Sequence, residues 1–177
     1  MSISNQRIFA GAALRIAIVS LALISASCVG WAAEQRFTDP QFGYSFVAPA
    51  GWSQKKDLPK PYVAFVGPVD DGFPTNVSFY TEQTANRSLA QYVKVAKETF
   101  AKSKTARLQS ERRASVAGTP AVVLQSIVTL SGQPPTITQQ VVVLHGGRGY
   151  TLTLAVAPSA LKKYQPTFDK VVHSFRW

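Results

Sequence analysis

Hydrophobic residues recur along the chain with two periods, about 2 residues in some segments and about 3.6 in others, and the shorter period dominates. Apolar or β-branched residues alternate with polar ones, or form short continuous runs bounded by Gly and Pro, which is typical of β-strands. This pattern predicts strands over residues 41–47, 62–66, 76–80, 108–116, 121–130, 136–144 and 150–157. Turn residues separate several of them and predict turns or loops at 69–74, 118–120, 131–135 and 146–149.

The strands after residue 120 follow one another through short turns. We therefore expect residues 121–157 to form an antiparallel meander. The segment 121–130 (AVVLQSIVTL) carries apolar side chains on both faces, so the sheet should be covered on both sides. Two further expectations concern the earlier strands: the segment 62–66 should end at Gly67-Pro68, and Trp52 should anchor the core.

Two segments show the longer, helical period. In the first, Ser88 is a suitable N-cap, and the apolar residues that follow recur at spacings of three and four: Leu89, Tyr92, Val93, Ala96 and Phe100. The second opens at Pro158-Ser159 and repeats the spacing through Leu161, Tyr164, Phe168, Val171, Val172 and Phe175. Pro166 should divide this second helix, since proline removes an internal hydrogen bond.

The first 33 residues have the pattern of a secretory signal peptide. Arg7 and Arg15 precede an apolar run at 16–26, small residues follow, and the first acidic residue of the chain is Glu34. Cleavage after Ala32 or Ala33 would release a periplasmic or secreted protein. The alternatives are an uncleaved anchor and a loose lipobox before Cys28, whose thiol would then carry a lipid and tether the chain to the envelope.

Composition narrows the class of protein. The chain has 177 residues, one cysteine and a formal net charge of +10. A single cysteine excludes an internal disulfide framework and a Cys-rich zinc module. The length after a signal peptide is enough for one core, so residues 34–177 are predicted to form a single α+β domain with an antiparallel β-sheet flanked by helices.

Several short motifs resemble PsbP-like domains. They are FGYSF at 42–46, PAGW at 49–52, SL at 88–89, VAGTPA at 116–121, GYTLT at 149–153 and SF at 174–175. PsbP is an extrinsic subunit of the photosynthetic oxygen-evolving complex, and DcrB-type bacterial lipoproteins are similar in fold. The resemblance covers nearly all of residues 34–177. It implies an α/β/α sandwich and a non-enzymatic accessory or binding module, without implying photosynthesis.

Few residues suggest site chemistry. His145 and His173 have no His, Cys or acid at metal-ligand spacing, so we expect structural or solvated roles. Asp70-Asp71 could bind a divalent cation, but a solvated turn is preferred. The segment 146–149 (GGRG) could form an anion nest with Arg148, but a plain hairpin turn is preferred. We expect no catalytic residues, no metal and no cofactor.

A basic cluster is the stronger signal for function. Seven cations fall within twenty residues against two acids, Glu98 and Glu111; they are Lys94, Lys97, Lys102, Lys104, Arg107, Arg112 and Arg113. Such a surface attracts an anionic partner, which in a periplasm could be lipid headgroups, an acidic polymer or an acidic protein, and export argues against nucleic acid. The leading hypothesis is an accessory protein that binds an envelope protein or complex, with an acidic partner favoured by the charge. The alternatives are a small-molecule or metal-binding protein with a pocket between sheet and helix, a hydrolase with an unrecognised site, or a merely solvated charged face.

Overall fold

A computed structural model describes residues 35–177. In chain order it contains β1 (Arg36–Thr38), β2 (Ser45–Val47), β3 (Ser53–Lys55), β4 (Val63–Asp70), β5 (Phe73–Gln83), α1 (Leu89–Lys102), β6 (Ala106–Val116), β7 (Thr119–Val128), β8 (Thr136–His145), β9 (Arg148–Val156), a 3₁₀ turn (Pro158–Ala160) and α2 (Leu161–His173). The predicted signal peptide and Cys28 lie outside the described residues. Within residues 35–177, no helix combines the length and the hydropathy that crossing a bilayer requires.

Seven strands form one antiparallel sheet in the order β3-β4-β5-β9-β8-β7-β6, and β1 pairs with β2 separately. The run from β6 to β9 is a continuous meander of neighbouring hairpins, which confirms and extends the meander predicted for residues 121–157. Its two-residue turn Gly146-Gly147 has positive φ at both positions, as a tight hairpin requires. The edges of the sheet are therefore β3 on one side and β6 on the other.

Each face of the sheet has its own apolar core. Val141 and Val143 of β8 lie in the larger core, with Tyr164 and Phe168 of α2. Val142, between them, points to the opposite face and packs in the smaller core beneath α1. Successive side chains of β8 thus point to opposite faces, where they pack under α2 and under α1. This confirms the α+β prediction of an antiparallel sheet flanked by helices.

The strands predicted at 41–47, 62–66 and 76–80 have different limits in the structure, and the last extends over Phe73–Gln83 as β5. Only Ser45–Val47 of the predicted segment 41–47 is extended. The residues before it form a turn in which an Asp39 side-chain oxygen accepts hydrogen bonds from the backbone N–H groups of Gln41 and Phe42. This side chain replaces strand partners, so the apolar alternation there reflects packing of single residues and not a strand.

The expectation that the second strand ends at Gly67-Pro68 is wrong. β4 continues to Asp70, and the pairing with β5 shifts register between Val66 and Val69. Pro68 has no backbone N–H to donate to β5. The bulge leaves Pro68 unpaired, so regular pairing resumes at Val69. The turn predicted within 69–74 is accordingly shorter, with positive φ at Asp71 and Gly72 only.

Pro166 does not divide the last helix. α2 runs unbroken from Leu161 to His173 with Pro166 inside it. Both Pro166 and Lys162, whose carbonyl loses its helical partner, are exposed, so water can satisfy that oxygen. The buried face of the helix supplies the stabilisation that outweighs the lost bond. Phe175 lies beyond the helix, in the core, next to a bridge between Ser45 and Arg176.

Trp52 is half-buried at the margin of the larger core and not at its centre. Its ring meets Tyr164 edge-on at 5.7 Å. It also lies directly over Gly67 of β4, where a Cβ would fall 2.4 Å from the indole. The glycine of the bulge is therefore required by close approach of the tryptophan ring.

Candidate functional site

Helix α1 is capped at its start and is tied to the sheet by a partly buried hydrogen bond. Ser88 caps it, and the Ser88 and Gln91 side chains complete a reciprocal capping box. The Tyr92 hydroxyl donates to Glu82 Oε1 at 2.5 Å, and the Tyr92 ring lies over Gly149. Burial, followed by the bond to the Glu82 carboxylate, raises the pKa of Tyr92, so its hydroxyl stays protonated as the donor. These contacts tie the first half of α1 to β5 and β9, and other residues of the helix contact β6.

A bulge in β6 decides which of its side chains face α1. The pairing with β7 shifts register between Leu108 and Ser110. Before the shift, Leu108 lies opposite Ser126; after it, Arg113 lies opposite Val122 and Arg112 opposite Val123. Cross-strand partners share a face, and Val123 belongs to the core under α2. The two adjacent arginines therefore leave β6 on opposite faces, with Arg113 on the α1 side.

An elongated groove of about 1060 Å³ lies between α1 and β6. We call it the α1–β6 groove. Its floor is apolar and consists of Leu89, Val93, Phe100, Leu108 and Val122. Leu89, Leu108 and Val122 are only half-buried, whereas Val93 and Phe100 continue into the core beneath the helix. The floor is thus an open extension of the smaller core.

Charged side chains line the rim of the α1–β6 groove, and cations predominate. The cations are Lys94, Lys97 and Arg113, and the acids are Glu98 and Glu111. Arg107 adjoins the groove, but its strand partner Ile127 packs in the core under α2, so its side chain leaves β6 on the other face. Lys97 Nζ lies 2.6 Å from Glu111 Oε2 and joins the helix to the strand. Both side chains are exposed, so this pair contributes at most about 1 kcal/mol. Within residues 35–177, Lys94 and Arg113 form no ion pair, and the rim keeps a positive charge.

The structure brings three of the seven predicted cations together at this groove, Lys94, Lys97 and Arg113. It leaves the other four outside: Arg107 and Arg112 leave β6 on the opposite face, while Lys102 and Lys104 lie exposed at and beyond the end of α1. The sequence prediction missed the apolar floor. The signal available was Leu108, an isolated apolar residue within a charged strand, but its significance depends on where α1 docks.

The Asp70-Asp71 pair ties α2 to the hairpin of β4 and β5. Asp70 accepts hydrogen bonds from Lys163 Nζ at 2.8 Å and from the Tyr164 hydroxyl at 2.6 Å. Asp71 accepts one from Ser159. The bond from Lys163, reinforced by Tyr164, lowers the pKa of Asp70 below its usual range. These carboxylates are used in internal contacts, which fits neither a cation site nor a freely solvated turn.

These contacts predict a pH-dependent effect of the substitution Asp70→Asn. Because the folded chain holds the Asp70 pKa below its unfolded value, the stabilisation is fully present above the unfolded pKa. It is lost as the pH falls through the folded pKa. Wild type should therefore exceed Asp70→Asn in unfolding free energy at pH 6 to 7, and the difference should shrink below about pH 4. Urea unfolding at several pH values measures it, with Asp57→Asn as the control; a difference independent of pH would contradict this role.

The glycine-rich turn and the histidines also have structural partners. Arg148 Nε donates to Thr81 Oγ1 at 3.2 Å, and the guanidinium lies 4.5 Å from the ring centre of Phe42. His145 stacks on Trp177 at 4.2 Å, and His173 Nδ1 lies 2.7 Å from the Asp169 carbonyl oxygen. The turn is the hairpin preferred from the sequence. Residues 35–177 contain no cluster of three metal-ligating side chains of the His, Cys, Asp or Glu type.

The sequence profile of the PsbP family matches residues 32–177. The fold and this match define the class of protein, and the chain belongs to the PsbP family. No curated protein matches the sequence at a significant level.

Solved structures of similar fold come from several organisms. The cyanobacterial PsbP, CyanoP, of Synechocystis sp. PCC 6803 superposes with a TM-score of 0.60 at 22% identity, covering 87% of this chain and 98% of its own. LpqN of Mycobacterium tuberculosis, a protein involved in cell envelope biogenesis, gives 0.61 at 14% identity, covering 81% and 89%. A Pseudomonas aeruginosa protein of unknown function gives 0.55 at 15% identity, covering 78% and 92%. At these identities the likeness concerns the fold.

Proposed function

We propose that this chain is an exported, non-enzymatic accessory protein of the bacterial cell envelope that acts by binding a protein partner. The observation that carries the proposal is the α1–β6 groove, where an open apolar floor lies between cationic rims. Exposed apolar surface framed by charge is typical of protein interaction sites. Membership of the PsbP family and the signal-peptide pattern of residues 1–33 support an accessory role outside the cytoplasm.

Two side chains test the role of the rim directly. Lys94 and Arg113 line opposite walls of the groove, are exposed, and form no ion pair within residues 35–177. Reversing both charges should weaken an acidic partner's binding at least about tenfold, because each cation would be replaced by a repulsive carboxylate. The measurement is an affinity pull-down of the mature protein from cell envelope, comparing wild type with Lys94→Glu/Arg113→Glu.

The chain offers a matched control. Lys104→Glu/Arg112→Glu makes the same change in net charge with two other members of the basic cluster, neither of which lines the groove. It should retain the partner near wild-type yield. Equal losses from both variants would mean that net charge, and not the groove, governs binding. A yield unchanged by Lys94→Glu/Arg113→Glu would remove the groove from the proposal.

A small apolar anion is the second candidate occupant, favoured because the groove lies between sheet and helix, as the small-molecule alternative expects. Intact-mass measurement of the bait distinguishes the two. A stoichiometric protein partner supports the accessory role, whereas a persistent added mass without a partner supports ligand binding. The same spectrum locates the mature terminus: a start at a diacylated Cys28 means a lipid anchor, and a start at Ala33 or Glu34 means a soluble exported protein.

A further inference from the structure

We infer that the α1–β6 groove receives an amphipathic α-helix of about 12 residues, with acidic residues on both flanks of its apolar stripe, from the partner protein. This inference rests on the proposed function and specifies the partner's chemistry. Three features of the described residues support it: the length of the groove, the distribution of charge across it, and the condition of the free edge of β6.

The length of the groove suits a short helix. Its helical wall extends from Leu89 to Ala101, which at 1.5 Å per residue is about 18 Å. Its opposite wall is β6, and the floor between them holds half-buried Leu89, Leu108 and Val122. A second helix beside α1 would cover these side chains, and it would displace the exposed Lys97–Glu111 ion pair that joins the two walls. About three turns, or roughly 12 residues, span that length.

The charges specify the flanks of that helix. Lys94 stands on the helical wall and Arg113 on the strand wall, so cations border the apolar floor on both sides. Glu98 alone among the unpaired rim groups is acidic, since Glu111 is engaged by Lys97. A ligand with one charged head would meet only part of this arrangement. A helix with Asp or Glu on each side of an apolar stripe meets both walls.

Addition of an extended strand fits the free edge of β6 less well. The bulge at Gln109 interrupts the regular row of backbone donors and acceptors that a partner strand would need. Exposed charges follow the edge, and these oppose strand pairing. Side-chain docking into the groove avoids both obstacles, because it uses the face of the strand and not its edge.

Photo-crosslinking from the two ends of the groove tests the inference. Ala90 and Ala101 are exposed residues of α1 that line it, and eleven helical steps place them about 16 Å apart. Each would be replaced singly by p-benzoylphenylalanine in the full-length chain, processed and purified from envelope after illumination. Arg112, on the opposite face of β6, is the control position. Circular dichroism verifies that each variant is folded, and the Ala90 and Ala101 variants serve as independent reports.

The expected result is one partner attached at both Ala90 and Ala101, but not at Arg112. The two attachment points should lie about 9 to 13 residues apart in the partner, within a segment whose apolar residues recur at spacings of three and four and whose flanks are acidic. Points only about 5 residues apart would indicate an extended segment and overturn the inference. A neutral or basic segment, or attachment to lipid alone, would also overturn it.

The outcomes separate this inference from the proposed function. If the pull-down recovers a partner but neither Ala90 nor Ala101 attaches to it, the accessory role stands and the helix-in-groove inference fails. If no partner is recovered by wild type, the proposed function fails and the inference falls with it. Helical spacing at the attachment points together with loss of binding in Lys94→Glu/Arg113→Glu would support both.

Discussion

Replacing Phe46 by alanine should lower the free energy of unfolding by about 3–5 kcal/mol, the largest loss we expect from one substitution. The Phe46 side chain is fully buried. Its ring stacks on Phe79 at 3.9 Å and meets Phe65 edge-on at 5.7 Å. Because β2 has three residues and pairs with β1 and with Arg176 but with no strand of the seven-stranded sheet, packing of this ring is the main tie between that segment and the sheet.

Urea unfolding followed by circular dichroism measures this loss. Val69→Ala is the control, since Val69 is 57% exposed and its truncation should change the free energy by no more than about 0.5 kcal/mol. The aromatic neighbours cannot collapse into the space easily, because Phe79 and Phe65 are fixed on adjacent strands. A loss below about 1 kcal/mol for Phe46→Ala would contradict the central position of this ring.

Gly67→Ala should destabilise the protein by about 1–3 kcal/mol, the second largest effect. In an ordinary strand position the same change is stabilising by about 0.5–1 kcal/mol, because glycine is the more flexible residue when unfolded. Here the new Cβ would lie 2.4 to 2.8 Å from three atoms of the Trp52 ring. The indole must then move, and its edge-on contact with Tyr164 of α2 is disturbed.

A double-mutant cycle identifies the cause. Truncating Trp52 to alanine removes the clash, so Gly67→Ala should cost much less in the Trp52→Ala background than in wild type. Urea unfolding gives the four free energies, and near-ultraviolet circular dichroism reports on the Trp52 environment. Equal costs of Gly67→Ala in both backgrounds would show that the close approach of the ring is not the reason for the glycine.

Local sequence patterns located most elements well. Segments 121–130, 136–144 and 150–157 correspond to β7, β8 and β9 within two residues at each end, and Ser88 caps α1 as predicted. These elements follow from alternation, turn residues and capping, all of which act over a few positions. The predictions at Gly67-Pro68 and Pro166 are wrong because proline usually ends a strand or a helix. Here pairing with β5 continues beyond the bulge, and packing of the buried face of α2 keeps the helix intact.

For the candidate site, the sequence by itself determined the excess of cations within residues 94–113 and the presence of a helix followed by a strand there. Both are properties of neighbouring residues, so they can be read without knowledge of the fold. The sequence did not show which cations share a surface with apolar residues.

Only the tertiary structure decided that question. The bulge after Leu108 sends Arg113 to the face of α1 and Arg112 to the opposite face. The docking of α1 depends on contacts of Tyr92 with Glu82 of β5 and with Gly149 of β9. In the sheet, β8 and β7 separate these strands from β6, which carries the arginines. The physical reason is that strand register and helix placement are set by pairing and packing between distant segments. The local pattern of charges determines neither the strand register nor the placement of the helix.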